Sequence, residues 1–184
     1  MNRQALSPAA LGDQRVSHYS LPAYAAGQLP VGESASEILS NKFAVRRPSV
    51  LISKLNPRFP RVWNLTDVSG TSVASTEFVV LEPSDVTTGE LWAALSQHEF
   101  GQSLADKASG TSGSHQRVKP QEILDARVRD PKALSDAQRE LVTNLGMRAH
   151  AARLESQRLA AIRDALLPEL MSGRLRVKDA EKQV

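Results

Sequence analysis

The sequence predicts an α+β chain: a small β-rich domain with short helices, followed by one long C-terminal helix of the coiled-coil type. Three observations predict it. Short β-branched and aromatic runs at 49–53, 61–65 and 76–81 are bounded by proline or turn residues. From Thr87 the apolar spacing changes to a helical one. Between Ala133 and Leu167 there is no proline, and apolar or small residues recur in steps of three and four.

Residues 1–15 show no periodicity and read as a loose terminus. Val16 to Leu21 is a strand candidate stopped by Pro22, and 23–42 read as turns and loop. Ser49–Ser53 and Arg61–Leu65 are strands joined by a turn that Asn56-Pro57 and Phe59-Pro60 impose, because a residue before proline is pushed out of the α region. Thr76–Leu81 is a third strand, ended by Glu82-Pro83. Leu91, Trp92, Leu95, Phe100 and Leu104 then mark one or two short helices up to Ala108. Trp63 and Trp92 read as core residues. The segments group into a loose N-terminus (1–15), a domain (16–130), a long helix (131–173) and a tail (174–184).

The long helix starts at Asp130-Pro131 or at Ser135, which has Gln138 three residues on. Its stripe runs through Val142, Leu145, Ala149, Ala152, Leu159, Leu166 and Leu170, widened by Leu141 and Ile162. Arg139, Glu140, Arg148, Arg153, Glu155, Arg158 and Asp164 take the opposite face. Pro168 kinks or ends the helix, and Gly173 caps it. A helix of about 35 residues spans ~50 Å, more than its own domain covers. It therefore protrudes and pairs with another helix through Leu145, Ala149, Ala152, Leu159 and Leu166; the alternative is a helix packed along its whole length on its own domain.

Composition narrows the function classes. In 184 residues, 41% are hydrophobic, cysteine is absent, and no apolar run approaches the ~18 residues a membrane span needs. The first residues carry no apolar stretch of a secretory leader. Thiolate metal ligands and disulfides are excluded, and a soluble cytoplasmic protein is expected. The net charge of +3 is modest, but its distribution is segregated. From 38 to 66 every charge is positive (Lys42, Arg46, Arg47, Lys54, Arg58, Arg61). From 62 to 106 every charge is negative (Asp67, Glu77, Glu82, Asp85, Glu90, Glu99, Asp106). The basic block points to a polyanion; the acidic block reads as a face turned away from it or a dock for another protein.

Two segments carry candidate chemistry. Lys54, Asn56, Arg58 and Arg61 lie on the proline-stiffened turn, with the residue types that hold phosphates and read guanine and adenine edges. Gly110 and Gly113 permit close backbone approach to a phosphate. Thr111, Ser112, Ser114, His115, Gln116, Arg117 and Lys119 supply donors and charge. The bland alternatives are a solvated hairpin and a flexible linker. The second segment is no nucleotide-binding loop, because no Gly-Lys-Ser/Thr follows. The four histidines show no metal-ligand spacing, and there is no Gly-x-Ser-x-Gly elbow, so neither catalytic residues, a metal nor a cofactor is expected.

At these segments the chain resembles the specificity subunits of type I restriction-modification systems. The stretches that carry the resemblance are HYSLPAY (18–24), SNKF (40–43), VLISKLNPRFPRVW (50–63), ASGTSGSHQRVKP (108–120) and LLPELMSGRLRV (166–177), in one order across most of 18–177. The last three are specific in combination. The resemblance implies a target-recognition domain that reads one half of a split site in double-stranded DNA, and a long helix that acts as a spacer. It also implies assembly with methyltransferase and restriction subunits, in which the chemistry resides. Typical members carry two recognition domains and two spacer helices. Here there is one of each, and the stretch upstream of HYSLPAY is short, so a half-length or N-terminally truncated member is expected. It would form a homodimer or pair with another specificity chain. The competing expectation is an interaction module that binds a methyltransferase or another specificity chain without reading DNA.

Overall fold

The computed structural model describes residues 4–108 and 116–175. The chain divides into two compact units, Met1–Arg148 and Ala149–Val184.

Among the described residues, eight strands lie in the first unit: β1 (Ala5–Leu6), β2 (Arg15–Tyr19), β3 (Val31–Ser34), β4 (Lys42–Val45), β5 (Ser49–Ser53), β6 (Val62–Leu65), β7 (Ser72–Ser75) and β8 (Phe78–Leu81). Five of them form a sheet in the order β1-β4-β7-β2-β3, and three form a second sheet in the order β6-β5-β8. Neighbours are antiparallel except β2 and β7, which run parallel with His18 opposite Val73. Short helices α1 (Leu21–Ala25), α2 (Thr88–Leu95), α3 (His98–Asp106) and α4 (Pro120–Leu124) complete the domain, and α5 (Asp136–Met171) follows. The predicted α+β class is the observed one: a β-rich domain with short helices, then one long helix.

The alternation of side chains along a strand explains the apolar runs. Leu51, Trp63, Phe78 and Val80 face one core, shared with Tyr19, Val45 and Ala74 of the larger sheet. Val50, Ile52, Val62 and Val79 face a second core under Leu95, Phe100 and Leu104 of α2 and α3. The smaller sheet is thus buried on both faces, and β5 has no polar side to show. Trp63 anchors the first core, with the rings of Tyr19, Tyr24 and Phe78 edge-on at 5.1, 5.7 and 6.3 Å. Each such large apolar side chain contributes about 1.5–3 kcal/mol on burial.

Several expectations are corrected. Residues 1–15 are not loose among the described positions: Ala5 pairs with Phe43, and Pro8 is buried in a 3-10 turn. A two-residue strand shows no period, so only its partner reveals it. The strand from Val16 ends at Tyr19, and Pro22 sits in the first turn of α1, whose N-cap Ser20 accepts a hydrogen bond from the Ala23 N–H. Within 23–42 the backbone forms β3 and a 3-10 turn and enters β4.

The long helix begins at Asp136, where Ser135 and Gln138 cap each other: Gln138 Oε1 accepts from the Ser135 N–H at 2.9 Å, and Ser135 Oγ from the Gln138 N–H at 3.4 Å. Pro131 starts only a 3-10 turn. Pro168 does not end α5, which runs on to Met171 before Gly173 turns left-handed at φ +71. Among the described residues no helix is long and apolar enough to cross a membrane.

Candidate nucleic-acid interface

The loop between β5 and β6 is held by its own backbone and by a segment far away in the sequence. Ser53 Oγ accepts from the Leu55 N–H at 3.1 Å and donates to the Leu55 carbonyl at 3.0 Å. Arg61 Nη1 donates to the same carbonyl at 3.3 Å. Asn56 adopts a left-handed φ of +55, which asparagine tolerates better than most residues, and its carbonyl accepts the Phe59 N–H at 3.0 Å. This closes the turn that Pro57 and Pro60 stiffen.

Residues 116–118 lie alongside this loop as a short extra pairing. Leu55 bridges Arg117, the Asn56 N–H donates to the Gln116 carbonyl at 2.8 Å, and the Val118 N–H donates to the Lys54 carbonyl at 3.0 Å. Val118 is buried in the second core, which fixes the segment from below. The two segments singled out in the sequence are therefore joined along their described parts. Thr111, Ser112, Ser114 and His115, with Gly110 and Gly113, lie outside the described residues.

The charges fall differently from their order in the chain. Lys54, Arg117 and Lys119 line a hollow of about 240 Å³ with Glu77, whose carboxylate pairs with Arg117 at 3.1 Å. Lys54 and Arg58 have no ion pair among the described residues. The remaining basic block is thinner than the sequence suggested. Lys42 is buried, and that burial lowers its pKa; its ammonium donates to Ser40 Oγ at 2.6 Å. Arg47 pairs with Glu82 at 3.7 Å, and Arg61 is committed to Leu55. Arg46, Lys54 and Arg58 remain.

The acidic block is not a separate face. Glu77, Glu82, Asp85, Glu90 and Glu99 reach Arg117, Arg47, Lys132, Arg139 and Arg129 respectively. Each of those cations lies outside the acidic segment, so folding re-mixes what the sequence separates.

The base of α5 shows a second departure. Glu90 is only 1% exposed. It completes a capping box at the start of α2, accepting from the Thr87 N–H at 2.5 Å while Thr87 Oγ1 accepts from its own N–H at 3.1 Å. Its other oxygen takes the Arg139 guanidinium of α5. Burial alone would raise the Glu90 pKa, but the Thr87 and Arg139 hydrogen bonds outweigh it and hold the carboxyl below its ordinary value. Thr87 and Thr143 hydroxyls meet at 2.8 Å. Gly89 and Gly146 let the backbones close: a Cβ on Gly89 would lie 2.8 Å from Thr143 Cα, and one on Gly146 would lie 2.6 Å from Asn64 Nδ2. Arg139 is therefore a docking residue and not part of a solvent face, and Gly146 is the one buried residue of α5. A Thr-x-x-Glu signature at 87–90 was the sequence signal for this corner.

Of the expected helix-interface residues, Leu145 and Leu159 are 51% and 54% exposed, Ala152 is exposed, and Ala149 and Leu166 are half-buried. Leu141, Leu154 and Leu167 are exposed as well.

Compared with known proteins, the chain matches no family model and no curated protein.

Proposed function

We propose that the chain is a DNA sequence-recognition (specificity) subunit of a type I restriction-modification complex, working in the cytoplasm. In this reading the joined face of Lys54–Arg61 and Gln116–Lys119 meets one half of a split target in double-stranded DNA. Lys54 and Arg58, unpaired among the described residues, bring positive charge to phosphates or guanine edges, and Asn56 and Gln116 bring amides suited to adenine. The exposed leucines of α5 take a second helix, from another copy of this chain or from another specificity chain. Methyltransferase and restriction subunits assemble on that frame and supply the chemistry; the chain itself is non-catalytic.

The observation that carries the reading is the joining of two basic, turn-rich segments from distant parts of the sequence into one hydrogen-bonded face. A second reading, an interaction module that holds a methyltransferase or another specificity chain without reading DNA, is favoured by Glu77, whose carboxylate sits among the cations of that face.

Titration of randomised duplex DNA at several salt concentrations separates the two. Each phosphate contact contributes a slope of about −0.9 in log affinity against log salt. Wild type should show a steep slope, and Lys54→Ala with Arg58→Ala should flatten it by about two contacts. Wild-type binding that is absent, or indifferent to salt, leaves the second reading.

A further inference from the structure

Phe59 stands on the β5–β6 loop with its side chain 70% exposed. Trp63, Phe78, Phe100 and the other aromatic rings pack in or against the cores. One exposed apolar side chain needs no explanation by itself. The loop that displays it is a different matter. Its backbone is tied down at Leu55 by Ser53 and Arg61, at Asn56 by Gln116, and at Phe59 by the Asn56 carbonyl. Pro57 is buried beneath it, and Pro60 fixes the next φ. The ring is thus held out on a stiff mount, next to Arg58, whose charge is unpaired among the described residues.

We infer that Phe59 is a wedge for duplex DNA: it enters a groove and inserts between two base pairs, opening that step and bending the helix, while Arg58 holds an adjacent phosphate. The inference rests on the DNA reading above and assigns a partner surface to one further residue. The flanking cations call for a polyanion, and the ring calls for an apolar surface. In nucleic acid that surface is the base face, which a duplex offers only where a step is unstacked. A single ring suits a wedge; a single-strand platform stacks successive bases on several rings. A stiff mount suits it too, because a mobile side chain would lose its freedom on insertion. Pyrimidine–purine steps open most easily, so the bound sequences should carry one at a fixed place.

The test uses the full chain, with short duplexes of randomised sequence and the matching single strands as probes. Phe59→Ala should keep its melting temperature and its salt slope but lose roughly tenfold or more in duplex affinity. Arg58→Ala should instead shrink the slope by about one contact. Phe59→Trp should add an indole emission that is quenched when duplex binds, over and above any change in wild type. If Phe59→Ala binds as tightly as wild type and the Phe59→Trp emission does not respond, the wedge is refuted, while a surviving salt slope leaves the DNA reading intact. Tighter binding to single strands than to duplex also refutes the wedge. No salt-dependent binding by wild type overturns the DNA reading, and the wedge with it.

Discussion

The opening turns of α5 and the turns that follow Arg148 are made of different material. In the opening turns the residues that touch the domain include Arg139, Val142, Thr143 and Gly146, which meet Glu90, Thr87, Gly89 and Asn64. Leucines take little part there, and Leu141 and Leu145 of the same turns are exposed. Beyond Arg148 no residue of α5 is buried, and Leu154, Leu159 and Leu167 are exposed. Docking is thus done by one buried carboxylate and by close backbone approach, whereas the leucines of the apolar stripe are exposed. A helix that needed leucines only to hold its own domain would place them where Gly146 and Thr143 lie.

The largest effect should come from filling the docking corner. A Cβ at Gly89 meets the Thr143 backbone, which has no side-chain freedom to retreat. Gly89→Ala should therefore cost about 2–3 kcal/mol and lower the melting temperature by several degrees. Gly146→Ala meets the end of the Asn64 amide, which can turn away, and should cost less. That amide is already buried without a hydrogen-bond partner among the described residues, so the neighbourhood is sensitive to small shifts. Equal melting temperatures for wild type and Gly89→Ala would mean that α5 does not dock here.

The next effect is electrostatic. Because the folded-state pKa of Glu90 is lowered from about 4.5, its contribution is whole above that pH and is lost as pH falls through the folded value. Melting curves from pH 7 down to pH 3 should show wild type losing more stability than Glu90→Gln. At neutral pH, Glu90→Ala should cost about 2 kcal/mol, through the lost cap of α2 and the lost bond to α5. Parallel pH profiles for wild type and Glu90→Gln would remove this corner from the account.

The stripe should behave in the opposite way. Leu145→Glu with Leu159→Glu should change the melting temperature of the isolated monomer little, within about 0.5 kcal/mol per site, because both side chains are exposed in it. Light scattering over a concentration series should find wild type at twice the monomer mass and the double variant at the monomer mass. A wild type that stays monomeric throughout would leave the stripe to a different chain.

Much of this was legible in the sequence where a residue's neighbours are local. β5, β6 and β8 declare themselves through runs such as Val50-Leu51-Ile52, and α5 through its spacing and the Ser135–Gln138 cap. β7 was not legible. Ser72-Val73-Ala74-Ser75 is short and small-sided, and its strand character comes from lying between β4 and the parallel β2, both distant in sequence. The charge blocks misled for the same reason: Glu77 and Arg117 are forty positions apart in the chain and 3.1 Å apart in space. Lys54, Asn56 and Arg58 were legible as candidates from residue type. Their junction with Gln116 and Arg117 depends on backbone hydrogen bonds that no local pattern encodes.

Selection from a fully randomised duplex library tests whether the chain reads DNA sequence. The full chain, alone and with a type I methyltransferase, is carried through repeated rounds of binding and amplification. A sequence-reading chain should enrich a short motif, present as an inverted repeat with a fixed gap if the chain pairs with itself, and lost when Lys54 and Arg58 are both changed to alanine. Pools that stay random with and without the methyltransferase, from a protein that is folded, would contradict it.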